Sequence, residues 1–281
     1  MKKVILVLVI VVLLFGSCLA QNYQVIHHFD NTNGDGAFPY GTLIESDSVL
    51  YGTTSSGGDN GKGTIFKIKP DGKGYQKIYS FQGGKLNSSQ PCGSLLKIGS
   101  AFYGMTRNGG TIDSGTVFKI NKDGSGFELL HSFTGACIDG RNPEASLINS
   151  GNTLYGITMF GGTKDSGTVF KINTDGSGYE VIHSFDQNKN EGIMPMYPLI
   201  ISGSVLYGTT IWGGRAGELI YAGTIYKLNT DGSNFGNLHV YDFPDISPSG
   251  ALVLSNSVLY GNTCCGGIPG TIFQLNPNGM D

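Results

Sequence analysis

The sequence predicts an all-β fold, a closed five-bladed β-propeller with four-stranded blades, and three observations carry that reading. The first is a repeat. Tyr51, Tyr103, Tyr155, Tyr207 and Tyr260 each open a Tyr-Gly dipeptide with a Gly-Gly close behind, and they recur every 52 or 53 residues. Pro39, Pro91, Pro143, Pro195 and Pro248 keep the same beat. The second is strand content: each copy holds four short segments of strand character bounded by Gly, Asn, Asp or Pro, and none has helical periodicity. Four strands in a repeat near 50 residues is the pattern of a propeller blade. The third is that the chain ends complement each other. The fifth copy stops at "GTIFQLNPNGMD", after its third strand, while the N-terminal "YQVIHHF" (23–29) matches the fourth strand of the other copies. An N-terminal strand completing the last blade closes the ring and removes an open edge of unpaired backbone groups.

In the third copy the four segments are "ASLI" (145–148), "TLYGIT" (153–158), "GTVFKI" (167–172) and "YEVIHSF" (179–185). The first lies nearest the axis and the fourth at the rim. The Tyr-Gly of the second sets a large ring beside a residue without a side chain, which suits close packing between sheets. The turn into the fourth, "NTDGSG", is matched by "NKDGSG" (121–126) and "KPDGKG" (69–74), and its Asp-Gly supplies the positive φ of a tight hairpin. Tight hairpins and short turns then share one face of the ring. The longer fourth-to-first connections and second-to-third loops share the other, and binding residues are usually carried on such loops.

Composition fits one large exported domain. The 281 residues are 39% hydrophobic and 14% charged, with 45 glycines and a net charge of −3. No basic cluster follows Lys2-Lys3, which excludes a nucleic-acid surface. Residues 1–20 read as a signal peptide: two lysines, an apolar run from Val4 to Phe15 too short to span a bilayer, then small residues. Residues 21–281 form the repeat domain. The rival reading is a lipoprotein acylated at Cys18, for which "FGSC" is a loose lipobox. Cleavage after Ala20 leaves Cys92, Cys137, Cys264 and Cys265, an even number that permits two disulfides. Three connectivities are open, one of them a vicinal Cys264–Cys265 bridge with a Cys92–Cys137 staple between neighbouring blades.

The frame "LYGTT-x2-GG-x4-GTIFKI-x2-DG-x-GY-x3-YSF" (50–81) resembles the GloVer tandem repeat of bacterial exported proteins, over essentially the whole mature chain. The resemblance implies a secreted or surface β-propeller and no particular activity. Members differ in a C-terminal attachment signal. This sequence ends at Asp281 without an appended sorting segment, so the expectation is either lipidation of Cys18 or simple secretion.

Two positions between the Tyr-Gly-x-Thr and the Gly-Gly break the constancy of the frame. They read Ser55-Ser56, Arg107-Asn108, Met159-Phe160, Ile211-Trp212 and Cys264-Cys265, and the strand order puts them on the loop face. Arg107, Asn108, Met159, Phe160, Ile211 and Trp212 are therefore candidate ligand contacts, with Phe160 and Trp212 as stacking platforms for a sugar or peptide. The competing reading makes the large members caps on the core. The fourth copy adds an insertion, "RAGELIYA" (215–222), beside a shortened connection from Phe243 to Pro248, so Arg215 and Glu218 wall a notch.

Rim residues His27, Tyr79, His131, His183 and Tyr241 are read as structural, because Tyr replaces His twice and rim positions lie far apart. No metal site or cofactor is expected. The acids outside hairpins are Asp35, Asp59, Asp139, Glu144, Glu191 and Glu218, of which Asp35, Asp139 and Glu191 enter first strands. Convergence of such carboxylates on the axis is the hydrolase alternative. The leading expectation is a non-catalytic binding or scaffold module at the bacterial surface, its ligand a glycan or a protein.

Overall fold

The computed structural model describes residues 23–84, 88–214, 222–241, 247–264 and 269–277. Its strands are antiparallel and form six sheets. In the first repeat Gly36–Ser46, Val49–Gly57, Thr64–Ile68 and Gln76–Ser80 pair in chain order. In the second, Ser88–Ile98, Ala101–Gly109, Thr116–Asn121 and Glu128–Ser132 do the same. The third pairs Ile148–Ser150, Thr153–Thr158, Thr168–Asn173 and Glu180–Ser184, and adds a two-stranded ladder of Gly140–Arg141 with Phe160–Gly161. The fourth seats both Ile193–Pro195 and Ile200–Ser202 on Val205–Trp212, followed by Thr224–Asn229 and Gly236–Val240. The last comprises Ser247–Pro248, Val253–Ser255, Val258–Cys264 and Ile272–Leu275. The only helix among the described residues is a 3-10 turn, Gln187–Lys189.

Each frame residue has a packing reason. The glycine of Tyr-Gly lies opposite a third-strand aromatic of its own sheet: Gly156 pairs with Phe170, and a Cβ at Gly156 would sit 2.5 Å from the Phe170 ring. Gly52 with Phe66, Gly104 with Phe118, Gly208 with Tyr226 and Gly261 with Phe273 repeat the contact. The two frame threonines meet as buried hydroxyl pairs, at 2.8 Å for Thr54 and Thr64 and 2.6 Å for Thr106 and Thr116. The glycine before the second of these threonines makes room for the next repeat's proline. Gly63, Gly115, Gly167 and Gly223 lie against Pro91, Pro143, Pro195 and Pro248.

Apolar burial follows the repeat boundaries. Among the described residues the buried apolar side chains form four clusters, each shared by two consecutive repeats. At a seam the outer-strand Phe of one repeat meets the third-strand ring of the next edge-on: Phe81 on Phe118, Phe133 on Phe170 and Phe185 on Tyr226. The hairpin glycine of the later repeat is pressed on the same outer strand. A Cβ at Gly124 would stand 2.0 Å from the Ile78 carbonyl oxygen, and one at Gly232 would stand 2.3 Å from that of Ile182.

The N-terminal segment departs from expectation. Tyr23–Asp30 forms no strand and completes no sheet. Its side chains nevertheless sit against the first repeat as an outer strand would, with Phe29 on Phe66 and Ile26 over Gly72. Its aromatic contacts belong to the repeat that follows it, and among the described residues no strand pairs with its backbone.

Candidate functional site

The variable dipeptide is held by the scaffold through its backbone. The Thr54 hydroxyl donates to the Ser56 carbonyl at 2.9 Å, Thr106 to Asn108 at 2.8 Å and Thr158 to Phe160 at 2.8 Å. Those same threonines form the buried hydroxyl pairs described above, so the carbonyl positions are fixed while the side chains are free to differ.

A second variable position lies beside the dipeptide, directly after each frame proline: Tyr40, Cys92, Glu144, Met196 and Ser249. Pro91 pairs across the strands with Thr106 and Cys92 with Met105, and Cys92 lines one cleft with Arg107. Arg107 of the second repeat reaches Glu144 of the third, Nε to Oε1 at 2.9 Å, with the Arg107 side chain half exposed and Glu144 buried. Burial pushes the Glu144 carboxyl up, and the Arg107 guanidinium pulls it back. A single lone carboxylate in that position would be costly without its cation.

Around this pair opens a cleft of ≈ 330 Å³, lined by Tyr40, Ser55, Ser56, Gln90, Pro91, Cys92, Arg107 and Glu144. Burial, and then the nearby Glu144, push the Tyr40 phenol up, so Tyr40 offers a hydroxyl. The cleft thus combines hydroxyl, carboxamide, guanidinium and carboxyl groups with one aromatic face. Asn108 closes one side, its amide donating to Gln90 Oε1 at 3.1 Å, and lines an adjoining cleft of ≈ 290 Å³ with Lys62 and Asp113.

The other candidates are placed differently. Met159, Phe160, Ile211 and Trp212 are half-buried. Phe160 lies beneath the Arg141 guanidinium, 4.5 Å from the ring centroid, and Asp165 pins that guanidinium at 3.0 and 2.6 Å. One face of the predicted platform is therefore already stacked. Trp212 pairs across the ladder with Ile193, and the Ile211 carbonyl accepts the Ser247 hydroxyl at 2.6 Å. Arg215, Glu218, Cys18 and Cys265 lie outside the described residues.

The expected Cys92–Cys137 staple is not made. Cys92 points from a buried strand and its thiol donates to the Pro143 carbonyl at 2.9 Å, whereas Cys137 is exposed on a loop, and both thiols are free. Burial, and then Glu144, push the Cys92 thiol well up. Iodoacetamide is expected to alkylate Cys137 in the folded protein and Cys92 only after unfolding; equal rates would contradict the burial of Cys92.

His27, His131 and His183 stand beside Asp35, Asp139 and Glu191, the acids of the connections entering first strands. Asp139 accepts from Tyr179 at 2.5 Å, from the Thr134 amide at 2.8 Å and from the Gly140 amide at 2.7 Å, with His131 Nε2 at 3.3 Å. Burial raises its pKa, but the His131, Tyr179 and Thr134 bonds outweigh that and hold it at about 2. Tyr75 donates to Asp35 in the same way, and His27 stands 3.3 Å from that carboxylate. His183 stands 3.2 Å from Glu191. Each of these histidines stacks on an aromatic of the following repeat: Tyr75, Tyr179 or Phe235. Asp59 pairs with Lys77 at 2.5 Å. The spacing His-x-Phe-x5-Asp/Glu was the sequence signal for these seams. Among the described residues no group of three His, Cys, Asp or Glu is arranged for a metal ion.

Comparison with known proteins now bears on this architecture. The model of the Gloeobacter/Verrucomicrobia repeat matches residues 14–159 and 137–281. The chain belongs to that family. No curated protein matches it. Solved structures resemble this Gloeobacter/Verrucomicrobia repeat protein at the level of fold, and they are propeller-like. A crystal structure of the nidogen/laminin complex gives a TM-score of 0.51 at 14% identity over 85% of this chain and 79% of that one. TolB from Acinetobacter baumannii gives 0.51 at 12% over 86% and 52%, so the repeats span about half of TolB. An oligogalacturonate lyase in complex with manganese gives 0.51 at 12% over 82% and 60%.

Proposed function

We propose that this repeat protein is an exported, non-catalytic binding module, a closed five-bladed propeller that takes a polyhydroxylated ligand, a glycan, in the Arg107–Glu144 cleft. The observation that carries this reading is the clamped dipeptide: threonines hold its backbone in successive repeats while its side chains change from Ser-Ser to Arg-Asn to Met-Phe. A scaffold that fixes a position and leaves its chemistry open suits recognition. The cleft's hydroxyl, carboxamide and charged groups beside the Tyr40 ring match a sugar's hydroxyls and apolar face. Export is supported by the apolar segment ahead of the repeats. Attachment through Cys18 belongs to the same proposal.

The second reading is a carbohydrate-active hydrolase. In its favour, Glu144 is a buried carboxyl whose pKa is raised, facing a cleft. Against it, Asp35 and Asp139 are taken up by tyrosine hydrogen bonds and Glu191 lies against His183, and a glycosidase needs a pair of carboxyls about 5–10 Å apart.

A glycan array followed by calorimetry on the best oligosaccharide tests the proposal. Arg107→Ala and Glu144→Gln are each expected to weaken binding about tenfold or more, the loss of a charge-assisted hydrogen bond. Unchanged affinity in both variants would reject the cleft. Turnover of the same oligosaccharide by the wild type, abolished in Glu144→Gln, would favour the hydrolase.

A further inference from the structure

Four repeats share a strained residue beside the variable dipeptide. Phe38, Gln90, Asn142 and Met194 stand directly before frame prolines, and their φ angles are +55°, +54°, +52° and +58°. A non-glycine residue at positive φ is uncommon, and a proline behind it favours extended backbone instead. Such a conformation is costly and persists only where its surroundings hold it. In three of the four the hold comes from the preceding repeat. The Gln90 amide donates to the Lys62 carbonyl at 2.9 Å, Asn142 to Ser114 at 2.8 Å and Met194 to Ser166 at 2.9 Å. In the second repeat the ladder pairs Ser89 with Asn108 and Pro91 with Thr106, and Gln90 between them is turned out of the pairing. Its side chain is exposed.

Gln90 is also the residue that two clefts have in common. It stands on the wall of the Arg107–Glu144 cleft, ≈ 330 Å³, and on that of the cleft of ≈ 290 Å³ that Lys62 and Asp113 line. Arg107 and Asn108 are consecutive on one strand, so their side chains leave on opposite faces, one into each cleft. The Asn108 amide donates to Gln90 Oε1 at 3.1 Å, which holds the Gln90 carboxamide on the divide with its Nε2 as the donor to offer. The second cleft is built like the first. Lys62, Asn108 and Thr111 give it hydrogen-bonding groups, and Ile112, 58% exposed, gives it an apolar face. Each cleft alone is at the lower limit of the ~300–1,000 Å³ usual for a small-ligand site, and the two together lie inside that range.

We infer that the two clefts are adjoining subsites of one site, that the ligand is a linear oligosaccharide of at least two units, and that Gln90 determines specificity at the linkage between them; this rests on the glycan reading above. One unit lies against Tyr40 and Arg107, the next against Ile112 and Lys62, and the glycosidic link passes over Gln90. The strain at Gln90 then has a use. A left-handed residue carries its side chain to the crest between the clefts, where an extended one would stay paired opposite Arg107. A monosaccharide fills one subsite and leaves the donors of the other in water.

The experiment compares chain lengths on the full protein, with a glycan array carrying sugars as monomers and linear dimers, glucose, cellobiose, N-acetylglucosamine and chitobiose among them. The dimer of the bound sugar is expected to bind about tenfold or more tighter than its monomer, the return on the second cleft's contacts. Lys62→Ala and Ile112→Ala change exposed side chains, and each should bring the dimer down toward the monomer while monomer affinity stays within about twofold. Gln90→Gly keeps the left-handed backbone without strain, so it folds, and it should cut the dimer's advantage severalfold. Arg107→Ala should weaken monomer and dimer alike. A dimer no tighter than its monomer, with Arg107→Ala still weakening both, would overturn the paired subsites and leave the glycan reading standing. A dimer advantage that survives in all of Lys62→Ala, Ile112→Ala and Gln90→Gly would overturn them too, by placing the second unit elsewhere. Binding of no sugar on the array would remove the glycan reading, and the paired subsites with it.

Discussion

Replacing Phe170 by alanine is expected to lower unfolding stability by about 3–5 kcal/mol, the usual cost of deleting a fully buried ring. Phe170 is fully buried and joins three packing relations at once. It lies across Gly156 within its own sheet, it receives the edge of Phe133 from the preceding repeat at 5.3 Å, and Tyr179 flanks it at 5.7 Å. The void left behind cannot collapse easily, because the position opposite is a glycine with no side chain to swing in. The loss is shared by two repeats, so urea unfolding followed by tryptophan fluorescence and by far-UV circular dichroism should shift together. A loss under about 1 kcal/mol would mean that the seam is not the unit of packing.

The second large effect is expected at the seam carboxylate. Asp139→Asn should cost about 2 kcal/mol at pH 7, from bonds to a charged acceptor that an amide replaces poorly. Two backbone amides and the Tyr179 hydroxyl point at that carboxylate. The Tyr179 phenol is itself pushed up, by burial first and then by Asp139, so it stays a donor. The pH dependence has a definite sign. Asp139 is held at about 2, below its unfolded value of 3.8, so its contribution is present above that unfolded value and is lost as pH falls toward 2. Urea midpoints of wild type and Asp139→Asn should converge across that window. A gap that persists at pH 2 would assign the effect to shape rather than charge.

Much of the architecture was legible because local chemistry repeats. "TLYGIT" is a strand over Thr153–Thr158 as expected, and the third and fourth segments shift by only a residue at their ends. The Asp-Gly hairpins form as expected, with Gly176 at φ +83° and its amide bonded to the Asn173 carbonyl. The variable dipeptide was visible because its neighbours are constant. What lay beyond the sequence depends on the offset between adjacent repeats. Arg107 meets Glu144 only because one repeat is rotated against the next, and no spacing within a repeat encodes that. The histidines and acids are visible in the sequence only as separate sets, because the histidines' stacking partners lie on the following repeat. The cysteines misled for the opposite reason. Cys92 and Cys137 fall in comparable stretches of chain, yet one side chain is buried on a strand and the other projects from a loop.

The proposed ligand enters the Arg107–Glu144 cleft. The direct measurement is amide and Arg side-chain chemical-shift mapping on labelled protein, titrated with the oligosaccharide that binds best on the array. Shifts clustered on Tyr40, Ser55, Gln90 and the Arg107 Nε are the predicted result. The larger and more apolar groove at the seam between the second and third repeats, ≈ 800 Å³ and lined by Ile138, Tyr179 and Val181, is the natural competitor. Shifts centred there, with Arg107 unmoved, would contradict the account.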